Sequence, residues 1–160
     1  MSLIEREVGS MAAGDVKAMA AEGVEGYRLE EQVGFILRQV GQRHAALFLE
    51  RFGDVMTPTQ WASMVKLEEK GPLSQNLLGR LTAMDVATIK GVIDRLTRRG
   101  LTEVKPDATD GRRRLVALTD LGREIVRAHL QPAFAVSEET LAPLDADERE
   151  TFIQLLKKLR

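Results

Sequence analysis

Apolar residues recur at helical spacing through most of the chain, and capping motifs divide this pattern into separate helices. Val, Ile, Leu and Phe recur three or four residues apart over 29–52, which predicts a first long helix. The second helix has a clear start, because Thr57 is followed by Pro58 and by Gln60 at the spacing of a capping box. It ends at Gly71-Pro72, a pair that stops a helix.

Two shorter helices and a hairpin follow in close succession. Ser74 begins a short third helix, and Asp85 begins a fourth that ends at Gly100. Two strand-like stretches come next, over 101–105 and 114–118, and the turn-forming residues between them predict a β-hairpin. Two helices joined by a short turn and followed at once by a hairpin are the element order of a winged helix-turn-helix. The predicted fold class is therefore mostly α with a small β-hairpin wing.

The chain on either side of this unit is predicted to be helical or flexible. Thr119 opens a long helix to about Ser137, in which Pro132 requires a kink or a break, and Asp145 begins a last helix. Residues 1–28 have weak periodicity, so we expect a flexible arm. The remaining domain assignments are a single domain over 29–160, a winged unit over 57–118, and dimerisation helices over 29–53 and 119–160.

The fourth helix has one apolar face and one face suited to DNA. Its apolar residues recur at i, i+3, i+4 and i+7, so this side packs on the preceding helices. The opposite side is small in its first half and basic in its second, which suits a major groove flanked by phosphates. Gly91 fits a close approach to DNA, and a glycine tolerated on a solvated face is the alternative. The predicted contacts of this region are Ser74, Gln75, Ala87, Thr88, Lys90, Gly91, Arg95, Arg98 and Arg99.

The hairpin tip carries three consecutive cations, Arg112, Arg113 and Arg114. Alternation along a strand sends Arg112 and Arg114 to one side and Arg113 to the other. One of them can therefore enter a narrow minor groove while a neighbour holds a phosphate. Asp110 belongs to the same predicted site, where a salt bridge would orient Arg112. The alternative is a solvated turn that contacts nothing.

Composition and charge narrow the range of functions. The chain has 160 residues, no cysteine and a net charge of -1, so disulfides, thiolate zinc sites and cysteine-based redox sensing are excluded. The charge is uneven, because residues 90–114 hold eight basic residues against four acidic ones. Such a footprint is expected of a DNA-contacting face, although a solvated surface has the same composition. We find no apolar run of membrane-spanning length and no signal peptide, and we expect a cytoplasmic protein.

Several motifs together resemble the multiple-antibiotic-resistance regulator (MarR) family. The most specific is 110–122, which is similar to the family's wing signature, Asp-x-Arg followed by a strand and Leu-Thr-x-x-Gly. Residues 73–79, 84–89 and 94–101 match the family's helix-turn-helix in the same way. The resemblance spans about 29–160.

The resemblance implies a mode of action. It implies an obligate homodimer whose first and last helices interleave, with recognition helices in successive major grooves and Arg112 in the minor groove. It also implies a repressor of a pseudo-palindromic operator that a small aromatic or phenolic acid releases. The expected partners are double-stranded DNA, a second copy of the chain and such an effector, with no cofactor, metal or membrane.

Residues of the first two helices are candidates for an effector site. Arg43 and His44 combine a cation with a switchable hydrogen-bonding group, and Phe48 supplies an apolar wall. Trp61 and Met64 lie one turn apart in the second helix, where they can cover the face of a ring. The alternatives are structural, because His44 lies on an apolar stripe typical of a core histidine, and Trp61 fits a hydrophobic staple.

Catalysis and metal binding have little support in the sequence. His44 and His129 lack clustered carboxylates at ligand spacing, and His129 is expected at the surface or an interface. Neither a nucleophile-base arrangement nor a glycine-rich phosphate loop after a strand is present. The rival function is a winged-helix module that binds a protein and has no DNA target. Three adjacent arginines at the tip favour DNA.

Overall fold

The computed structural model describes residues 26–107 and 110–159, so the predicted arm over 1–28 lies almost wholly outside the described residues. The predicted element order is confirmed, with helices before and after a two-stranded antiparallel hairpin in the chain. A 3-10 turn at Leu29–Glu31 precedes the first helix. The helices are α1 (Val33–Phe52), α2 (Pro58–Lys70), α3 (Gln75–Leu81), α4 (Val86–Arg98), α5 (Asp120–Thr140) and α6 (Ala146–Lys158), and the strands are β1 (Thr102–Pro106) and β2 (Arg114–Leu118).

The chain divides into two compact units, Met1–Gly41 and Gln42–Arg160. The described part of the first unit holds the 3-10 turn and the first half of α1. Most of its apolar side chains are exposed, Val33 and Leu37 among them, and Phe35 is partly buried. The second unit holds the buried core, to which the end of α1, helices α2 to α5 and strand β2 contribute apolar side chains.

The helix starts are those that the capping residues predict. The Thr57 hydroxyl accepts the Gln60 amide at 3.3 Å, and the Gln60 side chain accepts the Thr57 amide at 3.1 Å, which completes a capping box. The Ser74 hydroxyl accepts the amide of Leu77 at the start of α3. Thr119 caps α5 in the same way, by accepting the amide of Gly122 at 3.1 Å. These caps satisfy amides that have no partner inside their own helix.

Helix α4 packs on the core through the face that its periodicity predicts. Ile89, Val92, Ile93 and Leu96 are all buried. They join Leu78 of α3, which is fully buried, and the two helices meet at Gly79. A Cβ on Gly79 would lie 3.1 Å from the Met84 carbonyl oxygen and 3.2 Å from Ile89, so glycine permits this close approach. The outward face of α4 is thereby held away from the core.

The hairpin pairs β1 with β2 from Thr102 opposite Leu118 to Pro106 opposite Arg114. Leu73 extends the sheet, because its amide and carbonyl both bond with Val116, at 3.0 and 2.8 Å. The hairpin is thus anchored to the chain just before α3.

Helix α5 is continuous from Asp120 to Thr140, so the helix is not broken at Pro132. Its first turn is fastened to the end of the α4 segment. The Thr119 hydroxyl donates to the Gly100 carbonyl at 2.7 Å, and the Thr119 amide donates to the Leu101 carbonyl at 3.1 Å. A Cβ on Gly122 would lie only 2.1 Å from that Leu101 oxygen, so this contact requires glycine.

The histidine of α5, which the sequence places at the surface or an interface, contacts the end of α1. His129 is partly buried, its ring lies 5.5 Å from that of Phe52, and its Nδ1 bonds with the Ile125 carbonyl at 2.8 Å. Within 26–107 and 110–159, no helix is long and apolar enough to cross a membrane, and no His, Asp and Glu side chains group as a metal site would.

Candidate nucleic-acid interface

The outward face of α4 presents the small and basic residues that the sequence predicts as DNA contacts. Ala87, Thr88, Lys90, Arg95 and Arg98 are exposed, while Gly91 is partly buried. Arg99 is exposed at the C-cap of the helix, and Ser74 and Gln75 are partly buried at the start of α3.

The start of α4 uses one of these residues for structure. The Asp85 carboxylate accepts both the amide of Thr88, at 2.8 Å, and its hydroxyl, at 2.6 Å. The side-chain and backbone hydrogen bonds from Thr88 stabilise the charged carboxylate and lower the pKa of Asp85 below its usual range. Because its hydroxyl proton is directed to Asp85, Thr88 can offer a base edge only its oxygen lone pair and its methyl group.

The arginines of α4 differ in how their side chains are held. The Arg98 Nε donates to the Asp94 carbonyl at 3.3 Å, one turn back along the helix. Arg95 instead lies over Gly91, where a Cβ would be 3.4 Å from Nη1 and 3.7 Å from Nη2. Gly91 therefore provides the surface on which the Arg95 guanidinium rests. The sequence suggests only a close approach to DNA or a tolerated glycine, and neither interpretation includes this contact.

The hairpin tip differs from the arrangement expected from strand alternation. Arg112 lies in a turn and β2 begins only at Arg114, so alternation does not apply across the three arginines. The Asp110 carboxylate accepts the backbone amide of Arg112 at 3.1 Å and therefore orients the turn rather than the guanidinium. Arg113 pairs with Asp107, at 3.6 Å between Nη1 and Oδ2. Arg112 and Arg114 are exposed.

Residues between α3 and α4 extend this surface beyond the sequence-based set. A cleft of about 280 Å³ is lined by Asn76 and Arg80 of α3 and by Val86 of α4. Val86 is 68% exposed, which is unusual for an apolar side chain. Asn76 and Val86 lie in the first turn of their helices and Arg80 in the last turn of α3, and these positions are the signal that the sequence offers for them.

A second cavity, of about 170 Å³, lies between the end of α1, α2 and α5. Three of the five predicted effector residues line it, namely His44, Phe48 and Trp61. Met64 does not, because it is fully buried in the core. Arg43 does not either, since its Nη2 donates to the Glu139 carbonyl at 3.1 Å. The lining residues that the sequence did not suggest are Pro58, Ala133, Val136 and Ser137.

His44 is held in one tautomer by its neighbour on α5. The Thr140 hydroxyl donates its single proton to the Val136 carbonyl at 2.7 Å. The His44 Nδ1, 2.9 Å from the same oxygen, must therefore be the donor in that contact. In the neutral ring Nε2 is then an acceptor, and no described residue bonds to it. The cavity thus contains an imidazole whose second nitrogen is available to a ligand.

Known proteins resemble this chain over most of its length. The model of the MarR family matches residues 56–113. The HTH-type transcriptional repressor NicR of Pseudomonas putida is 38% identical over 83% of this chain and 85% of its own length. A probable transcriptional regulator from Pseudomonas aeruginosa has a crystal structure that is 53% identical, covers 83% of this chain and 100% of that chain, and superposes with a TM-score of 0.79.

A third relative adds a ligand. The structure of BpsR from Bordetella bronchiseptica, whose DNA binding is regulated by 6-hydroxynicotinic acid, is 36% identical to this chain. The match covers 83% of this chain and 96% of that one, with a TM-score of 0.80. The similar chains therefore include a repressor and a ligand-regulated DNA-binding protein.

Proposed function

This chain belongs to the MarR family of transcriptional regulators, and we propose that it is a cytoplasmic repressor without catalytic activity. It binds its operator as a homodimer, and a hydroxylated aromatic acid bound beside His44 releases it. The observation that carries this proposal is the pairing, in one compact unit, of a basic α4 and wing with a cavity whose histidine has no second hydrogen-bond partner among residues 26–107 and 110–159.

The homodimer is supported by exposed apolar side chains on the first and last helices. Val33 and Ile36 of α1 are 67% and 43% exposed, and Leu155 of α6 is 52% exposed. Apolar residues in such numbers on amphipathic helices mark a surface that another chain covers. Two-fold symmetry then places two copies of α4 about one helical turn of DNA apart, which matches a pseudo-palindromic operator.

The effector class follows from the shape and chemistry of the cavity. A volume of about 170 Å³ suits one six-membered ring, because a dry cavity of about 150 Å³ holds benzene. Phe48 and Trp61 cover ring faces, and the Nε2 of His44, which no described residue contacts, accepts a hydrogen bond from a ring hydroxyl. Since Arg43 lies outside the lining, the other polar groups that line the cavity are the Ser137 hydroxyl and the indole N–H of Trp61. The BpsR ligand, a hydroxylated pyridine carboxylic acid, belongs to this class.

The test of the effector site uses matched ligands and matched variants. The probe is a duplex that the wild-type protein selects from a random-sequence library. We expect 6-hydroxynicotinic acid or 4-hydroxybenzoate to release the duplex at lower concentration than nicotinate or benzoate, because only the hydroxylated acids can bond to the His44 Nε2. To cause release, the ligand must bind the DNA-free conformation more tightly than the DNA-bound one.

In His44→Ala this preference for the hydroxylated acid should disappear while DNA affinity is kept, and Arg43→Ala should retain the preference. Release of wild type and His44→Ala at the same concentrations would contradict the site.

The DNA-binding role of the wing has its own test. Arg112 is exposed at the turn and forms no ion pair with any residue in the described ranges, so Arg112→Ala should leave the fold intact. We expect operator binding to weaken by about 1–3 kcal/mol. Arg127→Ala, which removes an exposed arginine of α5 paired with Glu68, is the control and should bind as wild type does. Wild-type affinity in Arg112→Ala would favour the rival, a protein-binding wing.

A further inference from the structure

Among the cations of α4, Arg95 has a guanidinium that rests on Gly91 and has no hydrogen-bond or ion-pair partner among the described residues. Arg98 donates through Nε to a carbonyl of its own helix, whereas no residue in 26–107 or 110–159 accepts a hydrogen bond or an ion pair from Arg95. A guanidinium has five N–H donors in a rigid plane, so a partner outside the chain can be met by all of them.

The position of this guanidinium is set by Gly91. A side chain on a helix leans toward the N-terminal end and covers the residue one turn back. At Gly91 no side chain occupies that place, and Nη1 and Nη2 of Arg95 lie at ordinary contact distance from where a Cβ would be. The charge is thereby carried about one turn from its own Cα toward the start of α4.

Apart from Lys90, the outward face of the first two turns of α4 contains no long side chain that would hold DNA away from this group. Ala87, one turn before Gly91, is exposed and small, and Thr88 directs its hydroxyl proton to Asp85. The first half of the outward face therefore offers little hydrogen-bonding capacity of its own, apart from Lys90. A guanidinium resting on Gly91 supplies what that half lacks.

We propose that Arg95 reads a guanine edge in the major groove, and that Gly91 is the seat that aims it. The sequence alone places Arg95 in the basic half of the face that lies near phosphates, and a phosphate contact requires only charge. A planar fork fixed on the outward face matches O6 and N7 of guanine with two parallel hydrogen bonds from two nitrogens, a geometry that the single ammonium nitrogen of lysine does not reproduce. Arg95 is thus a specificity-determining residue, and Gly91 positions it.

The experiment replaces each guanine of the duplex selected from a random library, one at a time, by 7-deazaguanine. This base keeps Watson–Crick pairing and lacks the N7 acceptor. Wild-type protein should lose affinity at the guanine that Arg95 reads. Arg95→Lys should bind the unmodified duplex about 5- to 150-fold more weakly, the range of one bidentate base contact. In that variant the same 7-deazaguanine should cause no further loss.

Two further variants separate the orientation of the Arg95 guanidinium from the positive charge of the helix face. Gly91→Leu keeps every charge and fills the seat, so it should abolish sensitivity at the same guanine as Arg95→Lys does. Arg98→Lys, on the same face but bonded within the helix, should keep the wild-type pattern. Thermal unfolding of all three variants should match wild type, since the three positions lie outside the buried set of α4.

Three results would overturn the proposal. One is a selected sequence with no guanine in its half-sites. Another is an Arg95→Lys variant that remains sensitive at every guanine that wild type senses. The third is an Arg95→Lys variant that loses affinity equally for the selected duplex and for random DNA, because that is the behaviour of a phosphate contact.

Discussion

Helices α4 and α6 are built from the same kind of sequence and have opposite surroundings. Each has 13 residues, and each begins at an aspartate that accepts the amide three residues on. Helix α4 buries four apolar residues, whereas α6 buries none, and its Ile153 and Leu155 are 37% and 52% exposed. An amphipathic pattern therefore predicts that one face of a helix will be buried. It does not predict whether that face is buried by the same chain or by another.

Helix α1 shows both situations within one element. Phe48 and Phe52 near its end are buried and stacked, with ring centroids 4.0 Å apart. Val33 and Val40 in its first half are 67% and 40% exposed. The periodicity is continuous across the helix, so only the three-dimensional structure separates the part that stabilises the single chain from the part left for a partner.

The largest expected effect comes from the face that is covered within the chain. Leu96→Ala removes a fully buried side chain of α4 and should lower the free energy of unfolding by about 2–5 kcal/mol. Leu155→Ala, which truncates a half-exposed leucine of α6, is the matched control and should cost much less in a dilute, monomeric sample. Denaturant unfolding followed by circular dichroism measures both. Equal losses would remove the contrast between the two helices.

The next effect concerns the faces that are left uncovered. Leu155→Glu and Ile36→Glu place charges on exposed apolar positions of α6 and α1, so each should convert dimers to monomers while preserving helical content. Leu81→Glu alters a leucine of α3 that is 44% exposed and should leave the dimer intact. Sedimentation at micromolar concentration reports the state. A wild-type protein that sediments as a monomer would show that these faces serve another purpose.

The smallest expected effect is at the α4 cap, and it depends on pH. The lowered pKa of Asp85 means that its charged form stabilises the folded chain. This contribution is present above the ordinary pKa of an aspartate and is lost as the pH falls through the lowered value. Asp85→Ala should therefore reduce the melting temperature at pH 7, with a difference that shrinks in acid, while Asp94→Ala changes little at either pH. A difference that is constant with pH would mean that the charge has no part in the cap.

The sequence predicted most of the fold because its signals are local. Thr57 with Gln60 and Thr119 with Gly122 are bonded as their spacing requires, and the buried face of α4 is the one that its periodicity marks. The side-chain arrangement at the wing tip does not follow from strand alternation, because Arg112 lies in a turn and the strand begins two residues later.

The cavity was only partly predictable, because its walls come from segments far apart in the chain. Arg43 precedes His44 directly, but neighbouring residues on a helix point about 100° apart, so one reaches the Glu139 carbonyl and the other the cavity. Met64 lies one turn from Trp61 and still faces the core. Thr140, which fixes the His44 tautomer, is 96 residues away, and no periodicity connects α1 with α5.

The contact of Gly122 with the Leu101 carbonyl has a consequence for retargeting the protein to other DNA sequences. Helix α4 is fixed on its core side by this contact, by the Thr119 hydrogen bonds and by its four buried residues. None of these residues belongs to its outward face. New side chains can therefore be introduced at positions 87, 90, 91 and 95 while the core-side contacts of α4 stay unchanged. Position 122, by contrast, accepts no side chain in any such redesign.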